Sequence, residues 1–316
     1  MDRPNDADFA SVELRHLRAF VAVAEEANFT RAASRLRVSQ PALSRTIAQL
    51  ERTTGASLIH RTRHALRLTA AGRRFLPQAR RALGAVVEAL GAARGQTPRL
   101  RVGFTWGSAA EYIAPLVRAF EERHPDVAVE IHRYDETMAG LADGRSHIGF
   151  LPGLPQGDRV RAIVLAEELR VAALPIDHPL AGRETLTLTE LKTHPLVINV
   201  VSGSTSTSLW QEGHRPSTIV RVQNVDEWME AIAAARGIGL TPASTGRLYS
   251  HPKIRYIPLS DAPPVPIVLA WPRSDPHPLA EDFAATASRT HPHQASTGFG
   301  GGAGGHRGLP ADTGAG

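Results

Sequence analysis

The stretch from Asn28 to Gly55 constrains the fold most strongly, because it predicts two short helices joined by a tight turn. It reads NFTRAASRLRVSQPALSRTIAQLERTTG. We expect Thr30 to cap the first helix and Ser39 to cap the second, whose first turn accommodates Pro41 because no backbone donor is needed there. The apolar positions share one face of each helix: Ala32, Ala33 and Leu36 in the first, and Leu43, Ile47 and Leu50 in the second.

The opposite face of the second predicted helix carries groups that can read DNA. Pro41 and Arg45 lie on that face, and Gln40 and Ser44 flank them. Glutamine, serine and arginine side chains hydrogen-bond base edges and phosphates, as in the recognition helix of a helix-turn-helix. This stretch alone leaves open the alternative of a helical hairpin with a solvated polar face.

The flanking segments extend the hairpin into a small basic domain. Residues 13–27 place an apolar stripe on one helix, and the run SLIHRTRHALRLT after Gly55 predicts a basic hairpin, or wing. Residues 12–97 hold fifteen arginines against five glutamates, a formal charge of +10, whereas residues 1–11 carry −2 and the rest of the chain −3. A basic N-terminal third on a mildly acidic body is typical of a phosphate-binding domain attached to a second unit.

Two segments, ELRHLRAFVAVAEEANFTRAASRLRVSQPALSRTIAQLE and LRLTAAGRRFLPQARR, closely resemble the N-terminus of LysR-type transcriptional regulators. The match runs from about Glu13 to Leu90, and SQPALSR is its most specific part. The resemblance implies that the second helix contacts the major groove and that the wing reaches the adjacent minor groove or backbone. The expected DNA-binding residues are Thr30, Arg31, Ser39, Gln40, Pro41, Ser44, Arg45, Arg63 and His64.

A long helix is predicted after the wing, with Thr69 as its cap. Apolar residues recur with a 3.5-residue period over three heptads, which is typical of a coiled-coil seam: Gly72, Leu76, Ala79, Leu83, Val86, Leu90 and Ala93. Pro77 should kink this helix or remove one backbone hydrogen bond. A helix of the same chain could cover the seam, but nothing nearby in the sequence offers one. We therefore expect dimerisation through Leu76, Leu83, Val86 and Leu90, which agrees with the family's paired linker helices.

From Arg99 short apolar strands alternate with helices, which predicts a mostly parallel sheet covered on both faces. Helices are expected at 108–122, 137–143, 225–236 and 278–288, and a capping box, TLTE, opens another at Thr187. One doubly wound domain or two lobes could result. RVGF, FEERHPDVAVEI and LADGRSHIGF resemble the LysR-type effector-binding domain, a relative of periplasmic binding proteins, and this implies two lobes. His147 stands where that family usually has Asp, which leaves one local hydrogen bond open.

Together these patterns predict an α+β multidomain protein. Its parts are a flexible extension (1–11), a winged helix-turn-helix domain (12–68), a linker helix (69–95), an α/β effector domain (98–290) and a disordered Gly-rich tail (291–316). The effector domain is divided into lobe I (98–166 and 267–290) and lobe II (167–266), with crossovers near Ala166-Glu167 and Pro266-Ile267. The chain has no cysteine, its N-terminus is no signal peptide, and no apolar run approaches about 18 residues. We expect a cytoplasmic protein without a membrane partner.

A ligand in an open α/β fold binds beyond the carboxyl ends of the strands or between lobes. That rule selects loop residues as candidate effector contacts: Thr105, Trp106, Ser108, Thr137, Leu151, Ser202, Ser204, Thr205, Asn224 and Pro242. The hydroxyl-rich run VSGSTSTS suits a carboxylate or another oxyanion. Each residue could instead be a helix cap or a turn residue, and Trp106 could simply pack.

Catalytic and metal-binding motifs find no support. The fourteen histidines show no HExxH or other metal spacing, and no GxSxG occurs. We expect no cofactor and interpret the chain as a transcriptional regulator. Its expected partners are operator DNA, a small-molecule effector, further copies of the chain in a dimer or dimer of dimers, and RNA polymerase at target promoters. The alternative is an α/β enzyme or carrier with a basic appendage, which a catalytic constellation in the cleft would favour.

Overall fold

The N-terminal domain is a winged helix-turn-helix. The computed structural model describes residues 12–61, 66–95, 97–107, 111–212, 214–290 and 294–295. The domain contains helices α1 (Leu14–Glu26), α2 (Phe29–Leu36) and α3 (Gln40–Thr54), followed by the antiparallel strands β1 (Ile59–Arg61) and β2 (Leu66–Leu68). The predicted apolar stripes form its core, in which Phe20, Leu43 and Ile47 are almost completely buried. This core fixes the orientation of α3, whose opposite face remains exposed.

Helix α4 (Ala70–Ala93) runs from the winged domain to the second domain and continues through Pro77. Its cap is Thr69, as predicted, because the Thr69 hydroxyl accepts a hydrogen bond from the Gly72 N–H at 2.9 Å. The prediction that no helix of the same chain covers the seam is wrong for its N-terminal half. Ala79 is buried in the winged-domain core and Leu76 is half-buried against it. Phe75 also packs edge-on against Phe20 of α1, with ring centroids 5.2 Å apart.

The remaining elements form two lobes. In chain order they are β3 (Arg99–Phe104), α5 (Ile113–Arg123), β4 (Ala128–Arg133), β5 (Ile148–Pro152), β6 (Val160–Glu168), β7 (Arg170–Pro175), α6 (Leu188–Leu191), β8 (Leu196–Asn199), β9 (Ile219–Val222), α7 (Val225–Ala233), β10 (Gly239–Pro242), α8 (Ala243–Leu248), β11 (Ile254–Pro258), β12 (Val265–Pro272), α9 (Ala280–Thr290) and β13 (Gln294–Ala295). One sheet has the order β13-β6-β12-β5-β3-β4, and the other has the order β10-β7-β11 beside the pair β8-β9.

The expectation of a mostly parallel sheet is confirmed in lobe I, where five of the six paired strands run in one direction and β12 opposes them, and lobe II has one opposing strand, β7. Strand β3 is parallel to β4 and β5, but β12 is antiparallel to both β5 and β6, and β7 is antiparallel to β10 and β11. The cause is the route of the chain. It passes from the first sheet to the second at Leu169, between β6 and β7, and returns between β11 and β12. The first strand after each passage, β7 or β12, therefore runs antiparallel to its neighbours. The lobe boundaries proposed from the sequence lie a few residues from these passages.

Several local predictions also differ from the structure. Residues 137–143 form turns rather than a helix, because Ala139 and Gly140 have φ values of 50° and 82° that a right-handed helix cannot contain. Helix α5 begins at Ile113 instead of Ser108, and both β11 and α8 were missed. The capping box at Thr187 is confirmed by its bonds with Glu190. In the predicted disordered tail, Gln294–Ala295 pairs with β6, and the other tail residues lie outside the described ones.

Candidate DNA-binding face and effector cleft

The N-terminal half of α3 presents the predicted DNA-reading residues to solvent. Ser39 caps the helix, since its Oγ accepts a hydrogen bond from the Ala42 N–H at 3.3 Å, and Pro41 occupies the first turn. Gln40, Pro41 and Arg45 are exposed, and Ser44 is half-buried. Within the described part of the chain, Arg45 has no ion-pair partner. Its guanidinium can therefore meet a base edge or a phosphate without breaking a bond of the protein.

The cap of α2 is Asn28 and not Thr30. The Asn28 Oδ1 accepts a hydrogen bond from the Arg31 N–H at 3.0 Å, which leaves Thr30 exposed on the first turn. Arg31 is exposed as well, but its guanidinium donates to the Glu26 carbonyl at 2.5 Å. Contact of Thr30 and Arg31 with DNA remains a prediction. Arg63 and His64 lie outside the described residues, between β1 and β2.

Three of the predicted effector residues meet in one cavity between the lobes. Thr137 and Leu151 come from lobe I and Ser202 from lobe II, and they line a space of about 420 Å³. Lobe I adds Met138, Gln156 and the segment 152–155, and lobe II adds Gly203. The Ser202 Oγ accepts a hydrogen bond from the Asn199 amide at 3.2 Å, so its own hydrogen remains available to a ligand.

The structure assigns most of the other candidates to packing or capping. The Thr205 hydroxyl donates to the Leu240 carbonyl at 2.8 Å, the Ser204 carbonyl accepts from Arg170 at 3.1 Å, and Asn224 caps α7 through the Glu227 N–H at 2.9 Å. Thr105 and Pro242 are buried, and Ser108 lies outside the described residues. For these residues the alternative of caps and turns describes the geometry better than contact with a ligand.

Trp106 packs between the lobes instead of lining the cavity. It is 3% exposed and contacts Trp228 and Tyr249 of lobe II, with ring centroids 5.1 and 6.1 Å away. The sequence left packing open as an alternative for this residue. The ring therefore joins the two lobes on one side of the cleft.

Two buried charged residues at the passage between the lobes were missed. Glu168 accepts hydrogen bonds from the Tyr112 hydroxyl of lobe I at 3.2 Å and from the Ser244 N–H of lobe II at 2.9 Å. Burial lowers the pKa of Arg170 to about 10, and its guanidinium donates to the Pro263 and Ser204 carbonyls. The signal was present in the sequence, because charges inside the apolar run from β6 to β7 demand buried partners.

The comparisons with known proteins agree with this architecture. The family model described as "Bacterial regulatory helix-turn-helix protein, lysR family" matches residues 14–73, and the "LysR substrate binding domain" matches residues 93–291. The uncharacterised regulator YnfL of Escherichia coli K12 is 36% identical over 294 residues, covering 86% of this chain and 97% of the relative. AlsR of Bacillus subtilis is 31% identical over 290 residues, covering 86% and 94%.

Solved structures show the same arrangement. The crystal structure of CbnR, a LysR family transcriptional regulator, matches with a TM-score of 0.64 and 26% identity over 89% of this chain and 99% of CbnR. Full-length CbnR complexed with its target DNA matches with a TM-score of 0.62 and 26% identity over 88% of this chain and all of that one. The chain therefore belongs to the LysR family of transcriptional regulators, which bind DNA and carry an effector-binding domain.

Proposed function

We propose that this chain is a one-component regulator that binds operator DNA as a dimer or a dimer of dimers and responds to a small molecule in the interlobe cavity. One observation carries the DNA-binding assignment: the exposed N-terminal face of α3, on a domain whose charge is +10 over residues 12–97. Gln40, Ser44 and Arg45 read base edges there, and Pro41 makes apolar contact. Thr30, Arg31, Ser39 and the wing residues Arg63 and His64 contact the backbone or the neighbouring groove.

The ligand that suits the cavity is a small carboxylate. Thr137 and Ser202 each provide a hydroxyl, and Leu151 and Pro152 provide apolar surface for the rest of the molecule. No charged side chain lines the cavity among the described residues, so hydroxyl and backbone N–H donors would bind the anion. A volume of about 420 Å³ lies within the range of small-molecule sites.

The regulator would act in the cytoplasm, where its operator DNA is, and would contact RNA polymerase at the target promoters. Support for regulation rather than catalysis comes from the relatives, which are regulators along nearly their full length. One of them, HcaR of Escherichia coli, is named an operon transcriptional activator. Within the described residues, no group of three or more potential ligands could hold a metal ion, and no helix is long and apolar enough to cross a membrane.

Fluorescence anisotropy tests the proposal. The full chain is titrated onto a duplex from the intergenic DNA upstream of its own gene and onto a scrambled duplex, at several salt concentrations. We expect tight binding to the first duplex only, with an affinity that falls steeply with salt. Arg45→Ala should reduce affinity for the native duplex about tenfold or more, because a bidentate base contact contributes roughly 1–3 kcal/mol.

Arg123→Ala is the matched control, since Arg123 is an exposed arginine on α5 of the effector domain. It should bind like the unmodified chain. Equal affinities of the Arg45→Ala and unmodified chains would contradict the groove assignment. Absence of DNA binding at low salt, together with turnover of a metabolite, would favour the enzyme or carrier instead.

A further inference from the structure

Arg80, in the middle of α4, contacts both domains at once. Its Nη2 donates to Oε1 of Glu25 in α1 at 2.8 Å, and its Nη1 pairs with the Asp143 carboxylate of lobe I. The side chains of Arg80 and Asp143 are only 16% and 14% exposed. Ion pairs shielded in this way are costly to break, because an isolated buried charge is left behind.

On the DNA-binding side, the hydrogen bonds of Arg80 extend through Glu25 into the helix-turn-helix. The second oxygen of Glu25 accepts a hydrogen bond from Arg35 of α2 at 2.7 Å. Burial opposes ionisation of Glu25, but the hydrogen bonds from Arg35 and Arg80 prevail and lower its pKa. A charged Glu25 thus links α4 to the first helix of the helix-turn-helix.

On the effector side, the hydrogen bonds of Asp143 extend through Arg145 to the edge of the cleft. It accepts a hydrogen bond from Arg145 Nε at 2.7 Å, and Arg145 also donates to Glu136 at 2.5 Å. Glu136 precedes Thr137, which lines the cavity, and its other oxygen accepts from the Gly140 N–H at 2.7 Å. The loop 134–146 is therefore braced by its own bonds, with one end at the cavity and the other against α4.

The loop is also in close steric contact with α4. Gly144 has a φ of 72°, and a Cβ at this position would lie 2.5 Å from Cγ of Arg81. A shift of the loop toward the helix is therefore blocked. A shift away from it separates Asp143 from Arg80.

We propose that Arg80 is the positioning residue through which occupancy of the cleft changes the orientation of the DNA-binding domain. The inference rests on the proposed function. A ligand against Thr137 displaces Glu136 and, through Arg145, Asp143. The Arg80–Asp143 pair then weakens, and Arg80 retains only Glu25, so this link between the winged domain and lobe I is released. The ligand acts by favouring one of two domain arrangements.

The absence of cysteine in this chain allows a test without the natural effector. Thr137→Cys provides a single thiol in the cavity, and N-ethylmaleimide on that thiol imitates an occupied cleft. Binding is measured by anisotropy on a duplex selected from a random pool by the unmodified chain. We expect labelling of the Thr137→Cys variant to lower its affinity for this duplex at least threefold when the rest of the chain is unmodified. In the Arg80→Met background, labelling should change the affinity less than 1.5-fold.

Ala114→Cys is the matched control, because Ala114 is an exposed residue of α5 that does not line the cavity. Labelling there should not alter binding. Asp143→Asn, which keeps the size of the side chain, should weaken binding in the unmodified chain and have no further effect with Arg80→Met. The inference is overturned if labelled Thr137→Cys binds as before, or if Arg80→Met leaves its response intact. Failure of the unmodified chain to select any duplex would instead refute the proposed function.

Discussion

At the residue scale, His147 shows how one substitution is accommodated at the junction of α4 and lobe I. Its Nδ1 accepts a hydrogen bond from the Arg101 N–H at 3.1 Å, so the local bond left open by the absence of Asp is present. The Nε2 lies 3.2 Å from the carboxylate of Glu88 in α4 and 2.5 Å from Nη2 of Arg101. The ring stacks on His277, with centroids 4.3 Å apart. Burial, Arg101 and His277 lower the pKa of His147 to about 3.

This low pKa predicts a loss of stability in mild acid. His147 stays neutral in the folded protein, whereas an unfolded histidine takes up a proton below about pH 6.5. Its contribution is therefore complete above pH 6.5 and is lost progressively as the pH falls toward 3. Between pH 7.5 and 5.0 we expect His147 to account for about 1–2 kcal/mol of lost unfolding free energy.

Urea unfolding at a series of pH values measures this contribution. All four tryptophans lie in the effector domain, at positions 106, 210, 228 and 271, so their fluorescence reports on the domain that holds His147. His147→Asn retains an acceptor for the Arg101 N–H but cannot be protonated. Its stability should depend less on pH than that of the unmodified chain. Parallel curves for the two proteins would contradict the prediction.

At the element scale, a helix or strand could be predicted from the sequence where the spacing of its apolar residues allows only one structure. Helix α3 could be predicted because its apolar spacing, the Ser39 cap and Gly55 at its end all agree. Strand β11 was missed because IRYIP is short and its partner β7 is distant in sequence. The cleft was predicted only in part, since loop residues such as Thr137 and Ser202 meet through the packing of lobes. In the sequence, polar loop residues that line the cleft look the same as helix caps such as Asn224.

Two glycines of α4 give opposite predictions for the same substitution. A Cβ at Gly72 would lie 2.1 Å from the Leu58 carbonyl oxygen, whereas one at Gly84 would lie 3.8 Å from the Arg101 guanidinium. Alanine favours a helix over glycine by about 1 kcal/mol. Gly84→Ala should therefore stabilise the protein slightly. Gly72→Ala should destabilise it by about 1–3 kcal/mol, because the backbone of the wing must move.

Thermal unfolding followed by far-UV circular dichroism compares the two variants, since the winged domain is mostly helical. The Gly84→Ala variant controls for the general effect of a better helix former in α4. A melting temperature that rises equally in both variants would show that α4 does not approach Leu58 closely. It would also weaken the assignment of the first half of the seam to the winged-domain core.

At the scale of the whole molecule, α4 divides its apolar residues between two tasks. Gly72, Leu76 and Ala79 pack on the winged domain of their own chain. Farther along, Leu83 and Val86 are half-buried, while Val87 and Leu90 are 69% and 50% exposed. Exposed apolar residues that continue a heptad pattern are typical of an interface between copies. We therefore place the proposed dimer contact in the second half of α4 and add Val87, an exposed apolar residue next to the seam position Val86.

A charge in this second half should separate the subunits. In the variant Leu83→Glu/Leu90→Glu, association would bury two unpaired carboxylates from each subunit, so the dissociation constant of the dimer should rise at least tenfold. Sedimentation velocity over a concentration series measures it directly. The control is Ala89→Glu, which places the same charge at a flanking heptad position where glutamate is tolerated. The double variant should remain folded, because Leu90 is half exposed and Leu83 lies outside the winged-domain core.

Loss of the dimer should also weaken binding to the operator. Two winged domains on separate subunits can no longer bind two half-sites together, so operator affinity should fall in the double variant and persist in the control. A double variant that remains a dimer would place the interface elsewhere on the molecule.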